Sequence, residues 1–297
     1  MRLVVTGKNG QVVSALQALA DDKLEIVTLG RPELDLARPE TVARALRDAR
    51  PDVVVSAAAY TAVDKAESEP DIAFAVNRDG SRAVAQAAND IGVPVIHLST
   101  DYVFDGTKAT AYVESDPTGP SSVYGRSKLE GEQAVFESTS NYAILRTAWV
   151  YSEYGSNFVK TMLRLGESRD ELNVVADQLG CPTSANDIAT AIVTIAKQLK
   201  DDPSANFRGV FHLTGTGETN WADFAKQIFA FSVENGGKSV IVNNITATQY
   251  PTPARRPANS RLNCSKLEEV YGIRLPEWRA STRAVVAALA QSKKENP

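Results

Sequence analysis

Short, almost unbroken apolar runs alternate along the chain with segments whose apolar residues recur at helical spacing. The run "RLVVTG" precedes a helical pattern over 12–20, "EIVTLG" precedes one over 39–49, and "DVVVSAAA" precedes one over 72–91. "PVIHLST", a helical segment around Tyr124 and "AILRTAWV" continue the series. Runs rich in β-branched residues, without apolar–polar alternation, read as parallel strands covered on both faces. Strands and helices in alternation predict an α/β fold, a doubly wound parallel sheet of Rossmann-like type with right-handed crossovers.

The rhythm loosens after Val150. Helical patterns over 157–165, 186–199 and 221–234 are interleaved with the strand-like runs "LNVVAD" and "GVFHLTG". The Pro-rich stretch "QYPTPARRPANSRLN" interrupts them, and further helices close the chain. This predicts one domain over 1–150 and a smaller C-terminal α/β lobe over 151–297, with some later strands returning to the first sheet.

Composition narrows the function classes. The 297 residues are 43% hydrophobic and 23% charged with a net charge of −4, ordinary values for a globular protein. No basic run exceeds Lys293-Lys294, so nucleic acid is not an expected partner. No stretch approaches the ~20 apolar residues needed to span a bilayer. The opening "MRLVVTGKNGQ" enters a strand directly, without the features of a signal peptide, and a cytoplasmic location is expected. Cys181 and Cys264 match no metal or redox spacing and read as reduced packing residues. His97 and His212 lie in apolar strand-like runs and are expected at the edge of the core.

The first run continues into "TGKNGQVV", which places Gly7 and Gly10 at a strand-to-helix turn, with Gln11 and Val12 opening the helix. Glycine there lets backbone N–H groups approach a pyrophosphate, and a helix N-terminus favours the anion. Residues 1–150 are therefore expected to bind a dinucleotide. Val13 stands where a third glycine would normally pack helix on strand. The second run ends "TLGRPELDL". A basic residue at that point accommodates the 2′-phosphate of NADP, so Arg31 favours NADP(H), while Asp35, with Leu36 beside it, is an alternative contact at the adenosine end and leaves NADH open. "DVVVSAAAY" ends in small residues up to Ala59, followed by Tyr60 and Thr61, leaving room for a cofactor. "LSTDYVFDG" brings Ser99, Thr100 and Asp101 to the same rim.

In "SSVYGRSKLEGEQAV", Tyr124 and Lys128 stand four residues apart and share one helical face. Such a pair also occurs on ordinary surface helices, so its surroundings decide its meaning. Beside a nicotinamide, a ketone receiving hydride needs an acid, and a phenol near pKa 10 is poorly matched to neutral pH. An adjacent ammonium lowers the phenol's pKa and can also bond the nicotinamide ribose. Thr100 would add a third hydrogen bond at the substrate oxygen.

Through "TGKNGQ", "LSTDYVF" and "VYGRSK" the chain resembles the extended short-chain dehydrogenase/reductases. Within them, "AAAYTAVDKAESEP", "STDYVFDG", "VYGRSKLEGE", "LRTAWVY", "NFVKTMLRL", "DQLGCPT" and "YPTPARRPANSRLN" are similar to the dTDP-4-dehydrorhamnose reductases, in order over almost the whole chain. The resemblance implies reduction of the 4-keto group of dTDP-6-deoxy-L-lyxo-4-hexulose by NADPH or NADH, for synthesis of dTDP-L-rhamnose. It implies Tyr124 as proton donor, Lys128 as its pKa-lowering and ribose-binding partner, and Thr100 as the tuning hydroxyl. Asp101 and Trp149 match positions associated with the sugar. Arg256 and Arg261 are candidates for clamping the diphosphate bidentately, with surface ion pairing as the alternative.

Nucleotide-sugar 4,6-dehydratases carry a further acid after the threonine–acid pair, where this chain has Tyr102. Epimerases use the same Tyr/Lys pair, and a non-catalytic regulatory subunit, as in methionine adenosyltransferase, keeps the same fold. Some family members form a magnesium-bridged dimer. The matching positions here, Ala15 and Asn186, supply no carboxylate to a hard cation. No metal and a monomer or weak homodimer are expected.

Overall fold

The computed structural model describes residues 1–295; positions 296 and 297 of the expected second lobe lie outside the described residues. The first half runs β1 (Arg2–Thr6), α1 (Gln11–Gln17), β2 (Glu25–Leu29), α2 (Val42–Ala49), β3 (Val53–Ser56), α3 (Val63–Ala66), α4 (Pro70–Phe74), α5 (Gly80–Ile91), β4 (Val95–Thr100), α6 (Val123–Ser138) and β5 (Tyr142–Thr147). There follow β6 (Val150–Tyr151), α7 (Phe158–Ser168), β7 (Glu171–Val175), β8 (Leu179–Gly180), β9 (Thr183–Ser184), α8 (Ala185–Asp201) and β10 (Gly209–His212). β11 (Thr219–Asn220), α9 (Trp221–Glu234), β12 (Ile241–Ile245), α10 (Ser265–Tyr271) and α11 (Trp278–Glu295) complete the chain. The helical pattern over 72–91 is one continuous rod: α4 joins α5 through a π-helical segment, Ala75–Asp79.

The central sheet has the order β10-β5-β4-β3-β1-β2, and every pairing in it is parallel. The apolar character of its strands follows from burial on two sides. Leu3 and Val5 face one apolar layer and Val4 the other; the first layer holds α1 and α8, the second α2 and α5. A separate cluster joins α7, α9 and α11 to β7 and β12, with Phe224, Phe229 and Trp278 at its centre. After Val150 the chain passes between the two bodies more than once. α8 covers the first sheet, β10 pairs with β5, and α10 packs beside β10.

His97 and His212 are fully buried rather than at the core's edge. His97 Nδ1 lies 3.1 Å from Ser56 Oγ and His212 Nδ1 3.2 Å from the Asn263 carbonyl oxygen. Burial lowers the pKa of both. Cys181 is buried, Cys264 half-buried, and both are free. Among the described residues no helix is long and apolar enough to cross a membrane.

Two glycines set how closely α6 approaches its neighbours, Gly125 the turn after β4 and Gly131 the π-helical segment Ala75–Asp79. A Cβ at Gly125 would stand 2.3 Å from the Tyr102 carbonyl oxygen, and one at Gly131 would stand 2.2 Å from the Asn77 carbonyl oxygen. Neither obstacle is a movable side chain. Alanine ordinarily stabilises a helix interior over glycine by about 1 kcal/mol. Here overpacking opposes that gain, and Gly131→Ala is expected to lower stability by about 1–3 kcal/mol, read as a drop in melting temperature.

Candidate active site

The carboxyl ends of β1, β3, β4 and β5 form one rim. Strand order reverses between β1, which leads to β2 on one side, and β3, which leads to β4 on the other, so the switch point lies between them. Thr6 Oγ1 accepts hydrogen bonds from Ala57 and Ala58 N–H, both at 3.1 Å, drawing the two strand ends together. Gly7 follows at φ 102°, a region L side chains avoid, and a Cβ there would touch Ala58. The β1–α1 turn thus lies open against the small residues of the third strand's end. Val13, standing where a third glycine would, is buried in the core, its Cγ2 3.4 Å from where a Cβ on Gly7 would stand.

The expected cofactor residues separate by role. Val12 is a core residue, so only its backbone faces the turn. Gln11 turns its amide toward the segment after β6. Its Oε1 accepts from Ser152 Oγ and Asn157 Nδ2, both at 2.9 Å, and its Nε2 donates to the Val150 carbonyl at 3.3 Å. Asp35 spends its carboxylate on its own loop, accepting from Ala37 N–H at 3.1 Å. Leu36 is buried against Gly80. Arg31 is exposed after β2. A basic residue absent from the expected set joins it: Lys8 Nζ donates to the Arg31 carbonyl at 3.1 Å and pairs with Glu33 at 2.7 Å. Ala59 and Tyr60 are half-buried and Thr61 is exposed at the rim. Tyr60 N–H donates to Asn77 Oδ1 at 2.8 Å, and Asn77 Nδ2 donates to Ser127 Oγ at 2.9 Å, so one buried amide joins this rim to α6.

α6 begins with Ser122, whose hydroxyl accepts from Gly125 N–H at 3.1 Å. That places Tyr124 in the first turn beside the end of β4. Thr100 Oγ1 accepts from Tyr102 N–H at 3.2 Å and donates to Asp101 Oδ1 at 3.0 Å. Tyr102 and Tyr124 meet edge to face with ring centroids 5.5 Å apart. Lys128 is buried, and its Nζ donates to the Leu98 carbonyl at 2.6 Å.

The electrostatics correct one expectation. The Tyr124 phenol is raised, not lowered: burial dominates, the neighbouring Asp101 and Tyr102 add to the rise, and the hydrogen bond with Thr100 opposes it. The Lys128 charge is directed at a backbone carbonyl instead. Burial brings that ammonium down to about 8, while Glu132 favours its charged form. Burial likewise pushes the Asp101 carboxyl up to about 6 against the hydroxyls of Ser260 and Thr100. Its Oδ2 is buried with no hydrogen-bond partner among the described residues.

On the other side of the cleft Trp149 follows β5 at φ 49°, an unfavourable conformation for a bulky residue. Its indole stacks on Trp221 at 3.5 Å, and Gly180 leaves the room it needs, since a Cβ there would stand 2.3 Å from the ring. Arg256 reaches the site: Nη2 pairs with Asp64 at 2.8 Å and Nη1 donates to Tyr102 Oη at 3.4 Å. Arg261 is engaged elsewhere. It pairs with Glu218 at 3.0 Å and donates to the Ala109 carbonyl at 2.5 Å, which makes it a tie between segments. Ala15 is buried in the core, and Asn186 Nδ2 donates to both carboxylate oxygens of Glu153 at 3.1 Å. Lys8, Asn77 and Trp221 were not singled out by sequence, and Tyr102 was noted only as standing where a dehydratase carries an acid. Lys8 and Tyr102 lie inside the quoted motifs, whereas Asn77 and Trp221 act through partners distant in sequence.

Residues 1–291 match the family model described as RmlD substrate binding domain. The dTDP-4-dehydrorhamnose reductase of Sinorhizobium fredii is 63% identical over 295 residues, covering 99% of this chain and all of that protein. A crystal structure of a dTDP-4-dehydrorhamnose reductase from Clostridium acetobutylicum superposes with a TM-score of 0.90 at 38% identity, covering 97% of this chain and 99% of that one. The Bacillus anthracis dTDP-4-dehydrorhamnose reductase, solved in complex with NADP, gives 0.89 at 35% identity, covering 96% and 98%.

The Asp101 carboxyl has a higher pKa folded than its ordinary value of 3.8. The folded chain therefore binds more protons between about pH 4 and 6, and stability falls as pH rises through that window. Asp101→Asn should equal the wild type near pH 4 and exceed it at pH 7 by on the order of 2–3 kcal/mol. Melting temperatures at the two pH values measure this. A variant with no such pH-dependent gain would show that the carboxyl is not under strain from burial.

Proposed function

The chain belongs to the dTDP-4-dehydrorhamnose reductase family, and from that membership we propose that it reduces the 4-keto group of dTDP-4-dehydro-6-deoxy-L-mannose to give dTDP-L-rhamnose, with NADPH as reductant. The observation that carries the reading is the convergence of Tyr124 and Thr100 on one rim, with Lys128 one helical turn behind and the glycine turn across the switch point.

The cradle fits a dinucleotide because Gly7 keeps the turn free of side chain against Ala58, and its outer end carries Lys8 and Arg31. Bound NADPH supplies the hydride. Tyr124, protonated at neutral pH, gives its proton to the sugar O4 as that oxygen gains charge. Thr100 holds the hydroxyl geometry on the Tyr124 side. Lys128, charged below about pH 8, supplies a cation behind the phenol. Trp149, braced by Trp221, offers an apolar face to the deoxysugar. Arg256 is the side chain placed to take a phosphate, because its present partner Asp64 is partly exposed and such a pair is worth little. Ala15 and Asn186 bring no carboxylate for a bridging cation, which accords with a monomer or weak homodimer.

Ketosugar-dependent oxidation of NADPH is the direct test. Tyr124→Phe should lower kcat by about 10²- to 10⁴-fold while NADPH still binds. A wild type that binds NADPH but never turns the sugar over would favour the regulatory-subunit reading.

Cofactor choice has its own test. Replacing Lys8 and Arg31 together by Met should weaken NADP⁺ relative to NAD⁺ by about 10- to 100-fold in calorimetric titration, because a dianionic 2′-phosphate loses charge-assisted partners that a hydroxyl does not need. Equal weakening of both cofactors would count against that assignment.

A further inference from the structure

Beneath the catalytic pair lies a buried charged cluster that the reaction as derived leaves unused. Glu132 stands four residues after Lys128 on α6, and both are buried. Its carboxylate takes a bidentate pair of hydrogen bonds from Arg146, Nε at 2.9 Å and Nη2 at 2.7 Å, with both side chains 5% exposed. The Ser99 hydroxyl donates to the same carboxylate. Ser99 and Arg146 are register partners on β4 and β5. The residue before Ser99 is Leu98, whose carbonyl receives the Lys128 ammonium at 2.6 Å. Two successive residues of β4 are thus tied to two successive turns of α6, one through Lys128 and one through Glu132, immediately before Thr100.

We propose that Glu132 is a positioning residue for the reduction: it locks the end of β4 against α6 through Ser99 and Arg146, and it is the counter-charge that holds Lys128 as an ammonium at Leu98. The inference rests on the reductase reading for its activity arm only.

The surroundings of Lys128 leave Glu132 in that role. From β4 it faces His97, kept neutral by burial and by the Lys128 charge itself. From β5 the Arg146 guanidinium lies over the Phe104 ring at 5.1 Å, and its charge acts on His212. On the α5 side of α6 the side chains are uncharged, Asn77 donating to Ser127 and Ser81 donating to the Asn77 carbonyl; Arg78 and Arg82 pair with Glu130 and Glu137. Near the first turn of α6 stand Asp101, Tyr102 and Tyr124, whose mutual influence is on the phenol. Only Glu132 favours the charged form of Lys128 against desolvation.

The test is a pH titration read in two ways. In ligand-free protein carrying ¹³Cε-lysine, the Lys128 resonance, identified by its loss in Lys128→Met, should titrate at least about one pH unit lower in Glu132→Gln than in the wild type. In turnover with NADPH and the ketosugar, the alkaline fall of kcat should move down by the same interval, while the variant recovers toward wild-type kcat as pH drops to about 6. Removing one partner of a buried pair leaves Arg146 uncompensated and can unfold the chain. Glu132→Gln/Arg146→Gln removes both charges and should show a downward move smaller than that of Glu132→Gln, because the cation that repels Lys128 is lost with the carboxylate that attracts it. An unchanged Lys128 midpoint in a folded variant overturns the proposal, as does a kcat lowered equally at every pH. Because the resonance is followed without substrate, failure of the reductase reading would leave that arm intact and be recognised separately.

Discussion

The close approach of α6 to the end of β4 is the constraint on which the site depends. Gly125 faces the Tyr102 carbonyl just after β4, so near that a single methyl group would collide with it. That contact brings the first turn of the helix, with Tyr124, against Thr100 and Tyr102, and it carries Lys128 inward until its ammonium meets the Leu98 carbonyl. A buried lysine is unfavourable unless hydrogen-bonded and compensated. Here the carbonyl of Leu98 and the carboxylate of Glu132 supply both.

Burial also decides the protonation states. The Tyr124 phenol is raised by burial and by the neighbouring Asp101, which makes it a weaker acid than a free phenol. The aspartate is raised as well, so two acidic groups at one rim are both shifted toward their neutral forms. The same desolvation makes electrostatic interactions at this rim stronger than at an exposed surface.

The two halves of the chain are joined around the cleft by side chains from both. Gln11 links the glycine turn to the segment after β6, Arg256 links the Pro-rich strap to Asp64, and Arg261 links that strap to the loop at Ala109. Gln11 is anchored by three hydrogen bonds in a partly buried setting. The Arg256–Asp64 pair is more exposed and hence weaker. The Gln11 link is therefore held more firmly than the Arg256–Asp64 link.

The sequence by itself determined a parallel sheet covered on both faces and the helical spacing of Tyr124 and Lys128. Apolar runs reveal strands buried on both faces because burial selects residue type, and a four-residue spacing reveals a shared helical face because helix geometry is local. The shared face of Tyr124 and Lys128 was legible for the second reason, and the place of Thr100 at the end of a buried strand for the first. The tertiary structure decided what depends on partners distant in the chain. It directed Lys128 at Leu98 rather than at the phenol, engaged Arg261 with Glu218, brought Lys8 to Arg31 and braced Trp149 on Trp221. Desolvation, stacking and ion pairing arise only when segments far apart in sequence are packed together, and no local pattern encodes them.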